Sequence, residues 1–247
     1  MSVRFLHLFP SQLGLNGERG NLDCLVQRLK WAGTDSNVLA FDGLGSIDSH
    51  FDAIFIGSGT LAGAIDALEK VKGQAAKLRE LADQGTPFFA LGLGWEILGE
   101  RIKLTDGRTL EGVGVFPSRS ERVSERASAE SFGFDSKGEL TTGYANHSAE
   151  IELLHGAKAL VSLKAGFGNS SRQSAKQRTD EGLLDGNLMA ARLNGPLLPL
   201  NPHLADDFLG LMAARSGFSY SQTSQEAKIA DAFAEKARIE LKARLAS

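Results

Sequence analysis

Hydrophobic residues in the first third of the chain fall into short runs separated by helically spaced positions. The runs Val3–Phe9, Asn37–Ala40 and Phe51–Ile56 are typical of buried strands. Between the first two runs, apolar residues recur at the i, i+3, i+4 and i+7 positions of a helix, namely Leu22, Leu25, Val26 and Leu29. This alternation predicts an α/β fold, a doubly wound and mostly parallel sheet with helices on both faces.

The pattern then changes along the chain. A helical stretch from about Leu61 to Asp83, broken near Gly73, precedes the apolar run Phe88–Leu91. Short runs with turns follow, such as Gly112–Phe116 and Ala159–Leu163, and they predict antiparallel additions to the sheet in the C-terminal half. The polar stretch from Asn169 to Gly182 predicts a solvated loop.

The C-terminal segment predicts a helix over residues 225–245. Its apolar stripe is formed by Ile229, Phe233, Ala237 and Leu241, with charged residues elsewhere. Such a stripe packs on the helix's own domain or on a partner subunit, and both alternatives stay open. We therefore divide the chain into a domain over residues 1–220 and a helix over residues 221–247.

Composition narrows the class of protein. The chain has 247 residues, 42% of them hydrophobic and 23% charged, and a net charge of -3, which gives no electrostatic footprint for nucleic acid. No apolar run approaches ~18 residues and no signal peptide is apparent, so we expect a cytoplasmic protein without membrane insertion. Cys24 is the only cysteine and no phosphate-binding motif is present, so we expect no metal and no cofactor.

The segment Pro87–Gly99 has the shape of a nucleophile elbow. A buried run is followed by Gly92-Leu93-Gly94, which permits a tight turn into a helix. An ordinary connection from a strand to a helix has the same pattern. At the tip, where an elbow exposes a nucleophilic side chain, this chain has Gly92.

Several segments together resemble a known family over about Leu6 to Gly210. They are Gly17–Asn21, Phe55–Gly59, the elbow, Asp106–Gly114, Gly143–His147, Gly166–Asn169 and Asn194–Pro202. The chain resembles class I glutamine amidotransferases of the cobyric acid synthase type, and among them the glutaminase subunits of bacterial lipid II isoglutaminyl synthases. The resemblance implies the amidotransferase α/β fold.

The resemblance also implies that the catalytic pair is lost. In this family the elbow carries a cysteine that attacks the amide of glutamine, and a distant histidine serves as its base. The cysteine position matches Gly92 and the histidine position matches Asn194. Glu96 aligns with a common glutamine, and its negative charge is expected to repel the carboxylate of a bound glutamine.

The backbone part of the site is expected to persist. Gly57, Ser58 and Gly59 match the turn that lines the family's oxyanion hole, and the Leu93 N–H matches the other donor. Arg126 falls where the family has an arginine for the carboxylate of glutamine, although Arg119 or Arg122 could be the match, and a solvated charged face is the alternative. The remaining nucleophiles and bases offer no replacement, because Cys24 lies off the elbow and His147 is interpreted as structural.

From the resemblance we expect a glutaminase-dead amidotransferase-like subunit. Its expected partner is a Mur-ligase-like, ATP-dependent synthetase subunit that amidates the D-glutamate of lipid II. One alternative is an active glutaminase that uses an unrecognised nucleophile. Another is a sensor that keeps glutamine or glutamate in the cleft.

Overall fold

The computed structural model describes residues 2–48, 50–172, 179–194 and 196–246. The helices are Arg19–Trp31 (α1), Leu61–Val71 (α2), Ala75–Asp83 (α3), Gly92–Leu98 (α4), Leu197–Leu200 (α5), Pro202–Ser216 (α6) and Gln225–Ala246 (α7). The strands up to the long hairpin are Ser2–Leu8 (β1), Asp35–Phe41 (β2), Ala53–Ile56 (β3), Phe88–Leu91 (β4), Arg101–Lys103 (β5), Thr109–Glu111 (β6), Ser118–Asp135 (β7) and Leu140–Leu153 (β8). The later strands are Val161–Ala165 (β9), Asp180–Glu181 (β10), Leu183–Asp185 (β11), Leu188–Ala191 (β12) and Leu193–Asn194 (β13).

The predicted doubly wound sheet is confirmed. Within the described residues it has six strands in the order β11-β12-β4-β3-β1-β2, all parallel except β11. Its central strands are continuous apolar runs because both of their faces are buried. One face packs on α2, α3 and α4 and the other on α1, α5 and α6, so the sheet separates two hydrophobic cores.

Most of the antiparallel strands form a second sheet beside the first. The long hairpin of β7 and β8 is its largest part, and among the described strands only β11 extends the first sheet in the antiparallel sense. Residues 112–116, which the sequence suggested as a strand, form a loop after β6. The N–H groups of Val113 and Val115 bond the carbonyls of Ile97 and Leu98, because the end of α4 leaves carbonyls that need donors.

The start of the segment 169–182 differs from the predicted solvated loop. Asn169, Ser170 and Ser171 are buried rather than solvated. The reason is a pair of hydrogen bonds of 2.9 and 2.8 Å that join the Asn169 amide to the backbone of Gly182. Residues 173–178 of the predicted loop lie outside the described residues.

Helix α7 forms as predicted, but most of the predicted apolar stripe does not pack on the helix's own domain. Ile229 and Phe233 of the predicted stripe are 52% and 68% exposed, and Ala237 also faces solvent. The helix packs on the domain through Ala227 and Ala234 instead. Small residues on one face let a helix approach closely, so the face that packs on the domain is not the one that apolar spacing marks.

Charged groups complete the attachment of α7. The buried guanidinium of Arg28 in α1 bonds Asp206 of α6 at 2.6 Å and Asp231 of α7 at 2.7 Å. Arg238 donates to the carbonyl of Leu200 at 2.6 Å. The structure thus shows α7 against its own domain, and none of the helices it describes is long and apolar enough to cross a bilayer.

Candidate functional site

The elbow occurs where the sequence predicted it. Strand β4 ends at Leu91 and Gly92 begins α4 with a φ of +47°, a left-handed conformation that favours glycine. A Cβ at Gly94 would lie 2.2 Å from the carbonyl oxygen of Gly57, so close approach of the two turns requires glycine there. The elbow and the turn after β3 are therefore held in direct contact.

The side chain of Ser58 occupies the space beside Gly92. A Cβ on Gly92 would lie 2.5 Å from Ser58 Oγ and 3.0 Å from Ser58 Cβ. The Leu93 N–H donates to Ser58 Oγ at 3.1 Å. From the sequence we expected the Leu93 N–H to be available to a substrate oxyanion. In the structure the hydroxyl of Ser58 already accepts its hydrogen bond.

Strand β13 brings Asn194 to the same cleft as Gly92. It pairs with β8, opposite Tyr144, and the Asn194 amide donates to the carbonyls of Tyr144 and Arg192 at 3.3 and 3.2 Å. A neutral amide cannot accept a proton as an imidazole does. The cleft has a volume of about 410 Å³, and its walls also include Ser58, Gly59, Leu93, Glu96 and Arg126 of the predicted residues. Gly57 is not among the lining residues, although its carbonyl oxygen contacts the elbow at Gly94.

The carboxylate of Glu96 is buried and paired. Its Oε1 lies 3.0 Å from Arg122 Nη1 and 3.6 Å from Arg192 Nη2. Within the described part of the chain, Oε2 has no hydrogen-bond partner. The repulsion that the sequence predicted from Glu96 is therefore offset by two guanidinium groups.

A bulge in β7 directs the candidate arginines. The register between β7 and β8 shifts between Arg122 and Ala127, which aims both Arg122 and Arg126 at the cleft. Arg126 is exposed and donates twice to Asn146 Oδ1, at 2.6 and 3.1 Å. Arg119 lies outside the cleft, paired with Glu152.

Arg192 and His147 also line the cleft, and the sequence analysis missed both roles. The Arg192 side chain is fully buried and donates to the carbonyl of Ala149 at 2.9 Å. Desolvation lowers the pKa of Arg192, while Glu96 and Glu181 oppose that shift. Burial, followed by the charge of Arg192, lowers the pKa of His147 to about 2 and keeps it neutral. An arginine directly after the apolar run Leu188–Ala191 was the available signal.

The buried carboxylate of Glu181 positions the strand that carries Arg192. Its Oε1 accepts the N–H groups of Arg192 and Leu193 at 2.6 and 3.1 Å, where β12 passes into β13. Burial raises the pKa of Glu181 to about 7, although these hydrogen bonds act to lower it. This carboxylate thus supports the segment that ends at Asn194.

No substitute thiol faces the cleft. Cys24 lies on α1 and packs against the core between the sheet and helices α1, α5 and α6. Burial raises the pKa of its thiol to about 12. Such a thiol is protonated at neutral pH and is a poor nucleophile. Among the described residues, no group of three or more His, Cys, Asp or Glu side chains is arranged to hold a metal ion.

Comparisons with known proteins agree with the geometry. Residues 16–201 match the CobB/CobQ-like glutamine amidotransferase domain. The chain is 28% identical over 229 residues to the GatD subunit of lipid II isoglutaminyl synthase (glutamine-hydrolyzing) from Staphylococcus aureus strain N315, covering 90% of both.

Solved structures share the fold. A glutamine amidotransferase from Thermotoga maritima has a TM-score of 0.54 at 10% identity, covering 98% of this chain and 94% of that one. Another glutamine amidotransferase has a TM-score of 0.53 at 15% identity, covering 84% and 98%.

Proposed function

The chain belongs to the CobB/CobQ-like glutamine amidotransferase family, and on that premise we propose that it is an amidotransferase-like subunit that does not itself hydrolyse glutamine. The single observation that carries the proposal is the cleft at Gly92. The position that presents the nucleophile has no side chain, and Ser58 Oγ lies 2.5 Å from where a Cβ would stand. Hydrolysis of an amide through a thioester needs a nucleophile in that space.

The state of the other groups supports the same conclusion. A base is needed to activate a nucleophile, but Asn194 is a neutral amide bonded to two backbone carbonyls. A donor is needed for the developing oxyanion, but the Leu93 N–H is engaged by Ser58. Nucleophile, base and oxyanion donor are thus all altered in one cleft.

The partner and reaction follow from the resemblance to the GatD subunit. We assign this chain to a complex with a Mur-ligase-like, ATP-dependent synthetase subunit in the cytoplasm. That synthetase would amidate the D-glutamate of lipid II with free ammonia. This chain would stabilise or position the synthetase rather than supply its nitrogen.

The test is amidation of lipid II by the chain purified with its synthetase partner. The complex is supplied with ATP and either glutamine or ammonium chloride, and product is measured by mass spectrometry. We expect product with ammonium only, and less product from the synthetase without this chain. Product with glutamine, or ammonia released from glutamine by the complex, would refute the proposal.

A thiol-alkylating glutamine analogue provides an independent control. A working thiol site is labelled by such a reagent, whereas Gly92 offers no atom to alkylate. We expect no labelled residue on the elbow peptide. Labelling at Cys24 would be resolved by peptide mapping, because that residue lies on a different helix.

A further inference from the structure

The parallel sheet has one open edge, formed by β2. Among the described strands, β2 ends the sheet on that side and pairs only with β1, in parallel and in unbroken register. A strand at the edge of a sheet exposes a row of unpaired N–H and C=O groups, and these groups can pair with a strand of another chain. The edge of β2 is therefore a candidate surface for the addition of a further strand.

Alternate residues of β2 direct their backbone groups away from the sheet. The Phe9 N–H donates to the carbonyl of Phe41 at 2.7 Å, so Phe41 and every second residue before it in β2 face β1. In a parallel ladder the N–H and C=O of one residue point to the same side. The N–H and C=O groups of Ser36, Val38 and Ala40 thus point outward, and no other strand or loop backbone of the described residues bonds them.

The opposite edge of the same sheet is closed. Strand β11 has only three residues, and the N–H of Leu184 at its centre donates to the carbonyl of Lys158 at 2.9 Å. Strand β2 has seven residues and contains no proline, no lysine and no bulge, which are the usual protections of an exposed edge. Asp35 is its only charged residue. The fold thus protects one edge and leaves the other open.

Exposed apolar side chains accompany the open edge. Leu39 on β2 is 36% exposed, and Leu44 in the loop that follows β2 is 91% exposed. Ala40 is exposed as well. Single exposed leucines are ordinary on a protein surface. Here they lie beside unpaired backbone groups, so a strand that pairs with β2 gains apolar contact in addition to hydrogen bonds.

A second copy of β2 is complementary to this edge. The outward residues are evenly spaced about Val38, so two antiparallel copies that cross there place Val38 opposite its own counterpart and Ser36 opposite Ala40. Every outward N–H and C=O of these three residues then has a partner. Like charges do not face each other in the paired strands, because Asp35 lies opposite Phe41 of the other copy. A two-fold axis through Val38 generates this contact, which is closed and isologous.

We propose that the chain forms a homodimer in which two β2 strands pair in antiparallel orientation about Val38 and join the two parallel sheets into one. The occupant of the edge is a second copy of this chain. The pairing uses backbone groups of β2 and none of the groups in the cleft at Gly92. The proposal is therefore independent of the proposed function, and the failure of one leaves the other standing.

Size-exclusion chromatography with light scattering tests the proposal on the full chain. We expect a mass of twice 26.4 kDa at micromolar concentration. Ala40→Pro removes an outward N–H, which an edge strand tolerates because β1 does not use that group. This variant should have the mass of one chain and an unchanged circular dichroism spectrum. The matched control Ala40→Val keeps the N–H and should remain a dimer.

A pair of cysteines tests the register, and it decides the question if Ala40→Pro prevents folding. In the proposed register Asn37 lies opposite Leu39 of the other copy, at a pair without hydrogen bonds, where the two side chains are closest. Both side chains are exposed. Under mild oxidation, Asn37→Cys combined with Leu39→Cys should give a covalent dimer on non-reducing electrophoresis, and each single variant should give little. The unchanged chain, with Cys24 alone, provides the baseline.

Three results would overturn the proposal. They are a mass of one chain at every concentration tested, a dimer that survives Ala40→Pro, and crosslinking of the single cysteine variants as efficient as that of the pair. Hydrogen exchange at the amides of Ser36, Val38 and Ala40 identifies the occupant. Protection that increases with the concentration of this chain alone supports self-pairing. Protection that occurs only after purified synthetase is added assigns the edge to that protein and overturns the proposal.

Discussion

A double-mutant cycle between Gly92 and Ser58 measures how far the nucleophile position has been filled. Alanine at Gly92 adopts a φ of +47°, which costs about 1–2 kcal/mol for an L-residue. Its Cβ also meets Ser58 Oγ at 2.5 Å, so the serine must rotate and give up the bond from Leu93 N–H, at a further cost of about 1 kcal/mol. We therefore expect Gly92→Ala to lower the free energy of unfolding by about 2–3 kcal/mol.

The cycle separates the backbone cost from the contact. In a Ser58→Ala background the 2.5 Å contact is absent, so the second cost disappears, and we expect a coupling energy of about 1 kcal/mol. Gly186→Ala is the matched control, because Gly186 has a similar φ of +56° and nothing within 4 Å of the position of a Cβ. It should show the backbone cost alone.

Urea unfolding followed by circular dichroism provides the free energies, with a constant m-value as the check on comparability. Two results would count against the reasoning. One is additivity of Gly92→Ala and Ser58→Ala within about 0.4 kcal/mol. The other is a loss for Gly186→Ala as large as that for Gly92→Ala. Either would mean that Ser58 does not obstruct the nucleophile position.

Three further predictions concern the scaffold. Asp231→Ala removes one of the two carboxylates that hold the buried Arg28, so we expect the free energy of unfolding to fall by about 1–3 kcal/mol. Proteolysis between α6 and α7 should become faster, and an unchanged rate would contradict the proposed attachment of α7. Burial raises the pKa of Glu18 to about 8, so the unfolded chain ionises first and the free energy of unfolding should fall as pH rises from about 4.5 to about 8, by at most roughly 5 kcal/mol. Glu18→Gln should flatten that slope in unfolding measured across pH, and an equal slope in both proteins would refute the assignment. Phe233→Ser on the exposed face of α7 should lower the free energy of unfolding by under about 0.5 kcal/mol, whereas Ala234→Asp on its buried face should lower it by at least about 2 kcal/mol. The reverse order would show that the apolar stripe, and not the face with Ala234, packs on the domain.

The parallel sheet and the elbow were accessible from the sequence because their signals are local. Continuous apolar runs identify strands buried on both faces, as in β3 and β4, and the break near Gly73 is observed between α2 and α3. The meeting of Gly92 and Asn194 was expected only from the family resemblance. The local pattern predicted each segment, and the family resemblance predicted that Gly92 and Asn194 lie in the same cleft.

The long β7–β8 hairpin was harder to predict because its core side is small and polar. In Ser118–Arg122 the buried positions are serines and the exposed positions are charged residues that pair across strands, as Arg119 does with Glu152. The alternation of hydrophobic and polar residues that marks a half-buried strand is therefore absent from this segment. The inward turn of Arg122 and Arg126 depends on a bulge, which is a property of strand register rather than of composition.

The face of α7 and the role of Arg192 could not be read from spacing, because both depend on distant partners. Asp231 and Arg238 turn inward since Arg28 and the carbonyl of Leu200 lie there. Arg192 is buried because carbonyls from other strands receive it, among them that of Ala149. Tertiary contacts decide which polar side chains are buried, and these contacts produce no periodic pattern in the sequence.

The position of Ser58 links two turns that are distant in the sequence. A side chain introduced at residue 92 enters a filled space and displaces the hydroxyl that accepts from the Leu93 N–H. A thiol introduced at residue 92 alone would carry that cost in stability and would still lack a base, because Asn194 is a neutral amide. Residues 58, 92 and 194 are therefore coupled, and a redesign of this cleft has to change them together.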